Sequence, residues 1–153
     1  NGYGGRSLPF FQNYYGGGVG SVRGYETNSL GPREALTSSV TTNPDGTTSS
    51  TTSYTGNATG GRRKFTMNNE ILFPFPGTKN DKSVRGSFFF DAGQIYDKGD
   101  PLQKDNERVH FSAGVAVAWQ SPIGALKFSY ALPLASKPGD KTQRFQFQVG
   151  TLF

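Results

Sequence analysis

The stretch QRFQFQVGTLF, residues 143–153, alternates apolar and polar side chains over most of its length. Because successive side chains of a β-strand point to opposite faces, this alternation predicts a strand with one apolar and one polar face. The apolar face carries Phe145, Phe147, Val149, Thr151 and Phe153. The opposite face carries Arg144, Gln146, Gln148 and Gly150. A strand of about 9–11 residues can cross a bilayer when it is tilted, so the stretch is typical of a membrane strand.

Four similar segments precede this stretch. We predict strands at residues 64–73, 83–96, 108–120 and 125–134. Each has one apolar face and one polar or small face, and a tight turn at 121–124 contrasts with longer, charged connections elsewhere. Long strands with this alternation are typical of outer-membrane barrels. The predicted fold is therefore all-β, an antiparallel transmembrane β-barrel. A soluble β-sandwich with its apolar faces inward is the alternative, and it is disfavoured by the strand lengths.

The composition excludes several classes of protein. No run of about 18 apolar residues is present, so a transmembrane helix is not predicted. The mean hydropathy of −0.54 is compatible with strands that alternate between lipid and a polar lumen. The formal net charge of +5 is dispersed along the chain, which does not indicate a nucleic-acid surface. With no cysteine and one histidine, the sequence predicts no thiolate metal site, no histidine-based catalytic triad and no cofactor.

The first 63 residues differ from the rest because they are rich in Gly, Ser and Thr and show little periodicity. Residues 37–59 are dominated by Ser and Thr, and Asn43-Pro44-Asp45-Gly46 is a clear turn signal. Such a segment buries too little apolar surface to offset the entropy of ordering it. We therefore expect a long, solvated loop here, and we divide the chain into this loop region (1–63) and the strands (64–153).

Several motifs, taken in order, resemble the carboxy-terminal barrel of the BamA family, and the resemblance covers essentially the whole chain. They are Ser21-Val22-Arg23-Gly24-Tyr25, Ser87-Phe88-Phe89-Phe90-Asp91-Ala92-Gly93, Ser112-Ala113-Gly114, Ser121-Pro122-Ile123-Gly124, Phe128-Ser129-Tyr130-Ala131, Gly139-Asp140-Lys141 and Phe145-Gln146-Phe147. The resemblance implies a sixteen-stranded barrel preceded by periplasmic POTRA domains. On that template, this chain holds the large sixth outer loop and the last five strands.

The resemblance also implies a function and partners. BamA-like proteins fold and insert β-barrel proteins into the outer membrane of Gram-negative bacteria. The implied partners are unfolded outer-membrane barrel clients, accessory assembly lipoproteins and outer-membrane lipid. A chain limited to five strands would leave both sheet edges open and could self-associate through them. A two-partner secretion transporter of the same superfamily and a plain porin-like barrel remain the alternatives.

Two sets of site residues follow from the resemblance. In the family, the loop with the Val-Arg-Gly-Tyr motif folds into the lumen, where its Arg meets acidic wall residues. Carried over to this chain, Arg23 faces Glu70 and Asp91, while Gly24 allows a tight bend and Tyr25 packs on the wall. The alternation of the strands independently places both acids on the polar face.

The last strand supplies the second set. It resembles both the terminal signal of outer-membrane barrels and one side of the lateral seam through which the family admits client strands. Its residues are Phe145, Phe147, Val149, Gly150 and Phe153. Gly150 stands where the strand of the family bends inward, and a glycine permits such torsions.

Overall fold

The computed structural model describes residues 10–35, 37–54, 56–77, 83–97, 103–104 and 106–150. These form a short 3₁₀ helix, Phe10–Gln12, and the following strands: β1 Gly24–Tyr25, β2 Thr37–Thr42, β3 Thr48–Ser53, β4 Arg63–Pro74, β5 Val84–Tyr96, β6 His110–Ser121, β7 Gly124–Pro133, β8 Thr142–Gln143 and β9 Phe145–Val149. Within the described ranges, no helix has the length and apolar character needed to cross a membrane.

The main element is an antiparallel sheet of five strands in the order β4-β5-β6-β7-β9. The all-β, antiparallel prediction is confirmed, and the first four predicted strands match β4 to β7 to within two residues at each end. We call the end of the strands near Arg63, Tyr96 and His110 the loop end of the sheet. The opposite end of the strands, with the Ser121–Gly124 turn, is the turn end.

The outer face of the sheet is apolar and exposed. Its large exposed side chains are Phe65, Met67, Ile71, Phe88, Phe90, Phe111, Val115, Trp119, Phe128, Tyr130, Leu132, Phe145, Phe147 and Val149. A water-soluble monomer rarely exposes so large a contiguous apolar surface. In the part of the chain that the structure describes, no second sheet covers this face, so the sandwich alternative is not supported. The face matches the lipid-facing band of a membrane barrel.

The inner face carries small and polar side chains and is covered by the loop of residues 16–33. A buried apolar cluster joins Val22, Tyr25 and Leu30 of this loop to Ile95 of β5. The sequence predicted only polar and small residues on the inner face of β5, and that prediction is wrong for Phe89 and Ile95, both of which are buried there. The docked loop packs against both side chains: Ile95 contacts its apolar residues, and Phe89 contacts Arg23.

The predicted single strand over residues 143–153 is wrong at its start. Thr142 and Gln143 form β8, which pairs with β1 of the loop, and β9 begins only at Phe145. β9 then pairs with β7 as far as Val149. Gly150 follows with φ +142°. Residues 151–153 lie outside the described residues, so the position of Phe153 on the outer face stays a prediction.

The Ser- and Thr-rich segment is more regular than we expected. β2 and β3 form an antiparallel hairpin that was not predicted, and the side chains from Val40 to Thr51 are exposed. The turn predicted at Asn43–Gly46 is present, with the Asn43 amide donating to the Thr47 carbonyl at 2.8 Å. Strand pairing satisfies the backbone without an apolar core, and the β-branched Thr residues favour extended structure.

The outer face predicts how stability depends on depth in the membrane. Val115 lies near the middle of β6, whereas Val84 lies at the turn end of β5, opposite Trp119. In the full-length protein in lipid vesicles, Val115→Lys should lower the free energy of unfolding by about 2–4 kcal/mol, and the matched control Val84→Lys by about 0–1 kcal/mol. Equal, small losses at both positions would mean that this face meets water.

Candidate functional site

The loop that covers the inner face is held in shape by its own backbone. The Gly18 amide donates to the Tyr25 carbonyl at 3.1 Å, and the Leu30 amide donates to the Gly16 carbonyl at 3.1 Å. Gly17 and Gly18 both have positive φ values, which side chains rarely tolerate. These contacts bend the chain back on itself and direct the motif residues toward the sheet.

Arg23 makes a two-pronged ion pair with Asp91 of β5. Its Nε lies 2.7 Å from Oδ2 of Asp91, and its Nη2 lies 2.8 Å from Oδ1. The backbone amide of Arg23 donates to Oδ2 as well, at 3.1 Å. Asp91 is completely buried and Arg23 is 3% exposed. This parallel fork is the geometry in which a guanidinium binds a carboxylate most strongly.

Glu70 of β4 extends the ion pair into a network of four charges. Nη1 of Arg23 lies 3.2 Å from Oε2 of Glu70, and Nζ of Lys127 lies 3.0 and 3.1 Å from the two carboxylate oxygens. The Ser87 hydroxyl donates to Oε1 at 2.6 Å. Two cations therefore face two anions, Glu70 and Asp91, which keeps the half-buried network neutral.

Sequence reasoning missed Lys127 as a member of this network. It lies on β7, three strands away from Glu70 in the sheet. Lys127 alternates with Leu126 and Phe128, which places it on the polar face of its strand, and this is the only signal in the sequence. Its reach across β5 and β6 depends on strand register and side-chain length, and neither can be read from one strand.

The Phe89 ring packs against the guanidinium of Arg23. The Cζ atom of Arg23 lies 3.5 Å from the centre of the Phe89 ring, a cation–π contact. The ring lies over Gly114 of β6. A Cβ atom at Gly114 would stand 2.6 Å from the ring and would collide with the Tyr130 carbonyl oxygen. Phe89 shares the inner face with Asp91 two residues later, a spacing that could have identified it.

Gly24 and Tyr25 hold the loop close to the wall. Gly24 has φ +90°, and a Cβ there would lie 3.0 Å from the Cβ of Ala131. The fully buried Tyr25 ring meets the His110 ring edge-on at 5.1 Å, and its hydroxyl donates to the Phe111 carbonyl at 3.3 Å. Burial, with the nearby charge of Asp140, raises the pKa of Tyr25 to about 12. The structure thus brings the five residues predicted for this site together on the inner face, namely Arg23, Gly24, Tyr25, Glu70 and Asp91.

A second charged cluster lies at the loop end. The carboxylate of Asp140 accepts a hydrogen bond from Arg108 and lies 3.5 Å from Nε2 of His110. Burial alone would raise the pKa of Asp140, but the hydrogen bond from His110, the Lys137 amide and the charge of Arg108 together hold it below its ordinary value. Sequence reasoning did not predict this cluster. It joins the connection after β7 to the start of β6.

The described seam residues lie on or beside the outer face. Phe145, Phe147 and Val149 are exposed there, and the Phe147 ring stacks on Phe128 with centres 4.8 Å apart. The Gly150 amide donates to the Ala125 carbonyl at 3.0 Å. Among the described residues, no strand pairs with the second edge of β9. In that same part of the chain, no group of His, Cys, Asp and Glu could hold a metal ion.

Comparisons with known proteins identify the family of the chain. The Omp85 superfamily domain matches residues 1–153. The chain belongs to the Omp85 superfamily. It is 42% identical over 97% of its length to the outer membrane protein assembly factor BamA of Neisseria meningitidis serogroup B, and 32% identical over 95% to that of Nitratidesulfovibrio vulgaris. It spans 19% and 16% of these two relatives.

A solved structure of an Omp85 relative extends the likeness to the fold. The crystal structure of BamA from Haemophilus ducreyi lacking POTRA domains 1–3 matches 96% of this chain and is itself covered to 28%. The TM-score is 0.72 and the identity is 34%. The Omp85 domain and the BamA relatives together identify the chain as part of an integral outer-membrane protein of a Gram-negative bacterium.

The Arg23 fork predicts that the loop needs a guanidinium in particular. Arg23→Ala leaves Asp91 buried without its charged partner, which typically costs about 3–5 kcal/mol. In the full-length protein, the loop should become cleavable by protease, and Arg23→Lys should restore little protection because an ammonium cannot form the fork. Arg63→Ala, an exposed arginine at the loop end, is the control. Equal cleavage in Arg23→Ala and the parent would refute the anchoring role.

The stack of Phe89 on Gly114 predicts a second effect. Gly114→Val should displace the Phe89 ring and the Tyr130 carbonyl of β7 and so weaken loop docking, although position 114 does not touch Arg23. Ala113→Val, one residue earlier and on the outer face, is the matched control. Protease protection of the loop should fall in Gly114→Val and stay at the parent level in Ala113→Val. A loss shared by both variants would point to general destabilisation of β6 instead.

Proposed function

We propose that this chain is the carboxy-terminal part of an outer-membrane insertase barrel, which folds and inserts β-barrel proteins. The observation that carries the proposal is the docked loop. A neutral network of Arg23, Lys127, Glu70 and Asp91 holds the loop on the inner face of a sheet whose outer face is apolar. The names of the BamA relatives support an assembly role over the transporter and porin alternatives.

The proposed mechanism is non-covalent. The docked loop links β4 to β5 because Arg23 binds Glu70 and Asp91, and Lys127 joins β7 to the same network through Glu70. Among the described residues, β9 pairs with β7 along one edge, and we propose that an unfolded client strand adds along the other edge by backbone hydrogen bonds. Folding of the client is driven by burial of its apolar face in lipid. No bond is made or broken, so we propose that the protein is not an enzyme and uses no cofactor.

The proposed partners follow from the surfaces. The outer face binds outer-membrane lipid, and the edge of β9 receives barrel clients. Accessory assembly lipoproteins are proposed as further partners because the resemblance to the family implies them.

Depletion of the full-length protein should test the proposal directly. We expect the folded amounts of several unrelated porins in the outer membrane to fall together, because each needs the same insertion step. Complementation with the parent should restore them, and complementation with Arg23→Ala should restore them only in part. If porin amounts are unchanged on depletion while membrane conductance falls, the protein is a plain pore and the insertase proposal is wrong.

A further inference from the structure

The loop is joined to the last strand by backbone pairing as well as to the wall by Arg23. Gly24 pairs with Gln143 and Tyr25 with Thr142, so that β1 adds to β8 as a short antiparallel ladder. The Glu26 amide continues this ladder by donating to the Lys141 carbonyl at 3.0 Å. The two residues that follow Arg23 are therefore bound to the segment that leads directly into β9.

Gln146 makes a second link, from within β9 itself. It is the one buried side chain of β9, at 4% exposed, whereas the other four side chains of the strand are exposed. Its Nε2 donates to the Tyr25 carbonyl at 2.8 Å. The same carbonyl accepts the Gly18 amide at 3.1 Å, so both of its lone pairs are used. A carbonyl in the turn of the loop is thus shared between the loop and the terminal strand.

These contacts form one continuous connection from the wall to the seam. Asp91 binds Arg23, the next two residues pair with β8, and Tyr25 binds Gln146. β9 itself pairs with β7 from Phe145 to Val149, and the Gly150 amide donates to the Ala125 carbonyl. The part of β9 at Gln146 is therefore bound both to the docked loop and to β7. The described backbone pairing of the rest of β9 is with β7.

We propose that Gln146 is a positioning residue that couples docking of the loop to the order of the terminal strand. When Arg23 is seated on Asp91, Tyr25 is fixed and Gln146 holds the start of β9 in place. When the loop is released, β9 loses this support and its edge becomes mobile. The inference rests on the proposed function for its purpose, since it assigns to the docked loop control over the seam strand.

The ordinary alternative is that Gln146 is a buried amide that happens to meet the nearest carbonyl. In that case its loss would loosen its own surroundings only. The two possibilities differ in one respect. Only coupling predicts that a substitution at Arg23 changes the amide exchange of β9, and that the change depends on Gln146.

Amide hydrogen exchange of the full-length protein in lipid nanodiscs separates them. Two segments are followed, residues 22–26 of the loop and residues 145–150 of the terminal strand. Gln146→Met removes the donor and keeps the length of the side chain. We expect exchange in both segments to be roughly tenfold faster, because the Tyr25 carbonyl loses a buried partner. The matched control is Gln148→Met, on the same strand and face but exposed, which should leave the loop segment at the parent rate.

Arg23→Ala supplies a measurement that does not alter β9. It should accelerate exchange in residues 145–150 in the parent background, and add little when Gln146→Met is already present. The inference is overturned if Arg23→Ala leaves the terminal strand unchanged, if the two effects multiply independently, or if Gln148→Met matches Gln146→Met. Should Gln146→Met not fold, Arg23→Ala and Arg23→Lys still decide the question from the exchange of residues 145–150.

Porin assembly measured in the same variants separates the inference from the proposed function. Coupled exchange with normal porin assembly would establish the loop–strand link and overturn the seam role in the proposed function. Uncoupled exchange with reduced assembly would overturn the link and leave the insertase proposal standing.

Discussion

The ion pair between Arg23 and Asp91 is the interaction on which the loop and the sheet both depend. A fully buried carboxylate without a partner would cost several kcal/mol, so the wall with Asp91 is stable only when the guanidinium is seated. The guanidinium is positioned by the turn at Gly24 and by the Phe89 ring, which packs against it. That ring in turn occupies the space that a side chain at Gly114 would fill. Lys127 then balances the second carboxylate, Glu70. The four charged side chains of the inner face therefore form one connected, largely buried network and are not separate solvated charges.

The same strands serve two different surroundings, and the alternation of side chains makes this possible. Outward residues such as Val115 and Phe147 present apolar surface, while their neighbours one position away line the docked loop. A one-residue slip in register would exchange the two faces and place Asp91 in lipid. The neutral charge network thus protects the register of the sheet as well as the position of the loop, which links stability in the membrane to the geometry of the site.

The parts of this architecture that are local in sequence could be predicted, and the parts that are not could not. Alternation located β4 to β7, and it placed Glu70 and Asp91 on one face. Resemblance to a family supplied Arg23 as their partner. Lys127, Phe89 and Gln146 escaped prediction because their roles arise from register across several strands and from the path of the loop. The break between β8 and β9 was missed for the same reason, since Thr142 and Gln143 pair with residues more than 100 positions earlier.

The central claim is that Arg23 and Asp91 act as a pair, and a double-mutant cycle tests it most directly. The backbone amide of Arg23 itself donates to Asp91, so exchange at residue 23 reports on the pairing at its origin. Arg23→Met, Asp91→Asn and the double variant would be compared in the full-length protein in lipid. The account predicts a coupling energy of about 1–3 kcal/mol, with the double variant little worse than either single one. Losses that add, with no coupling, would show that the loop is held by other contacts and would contradict the account.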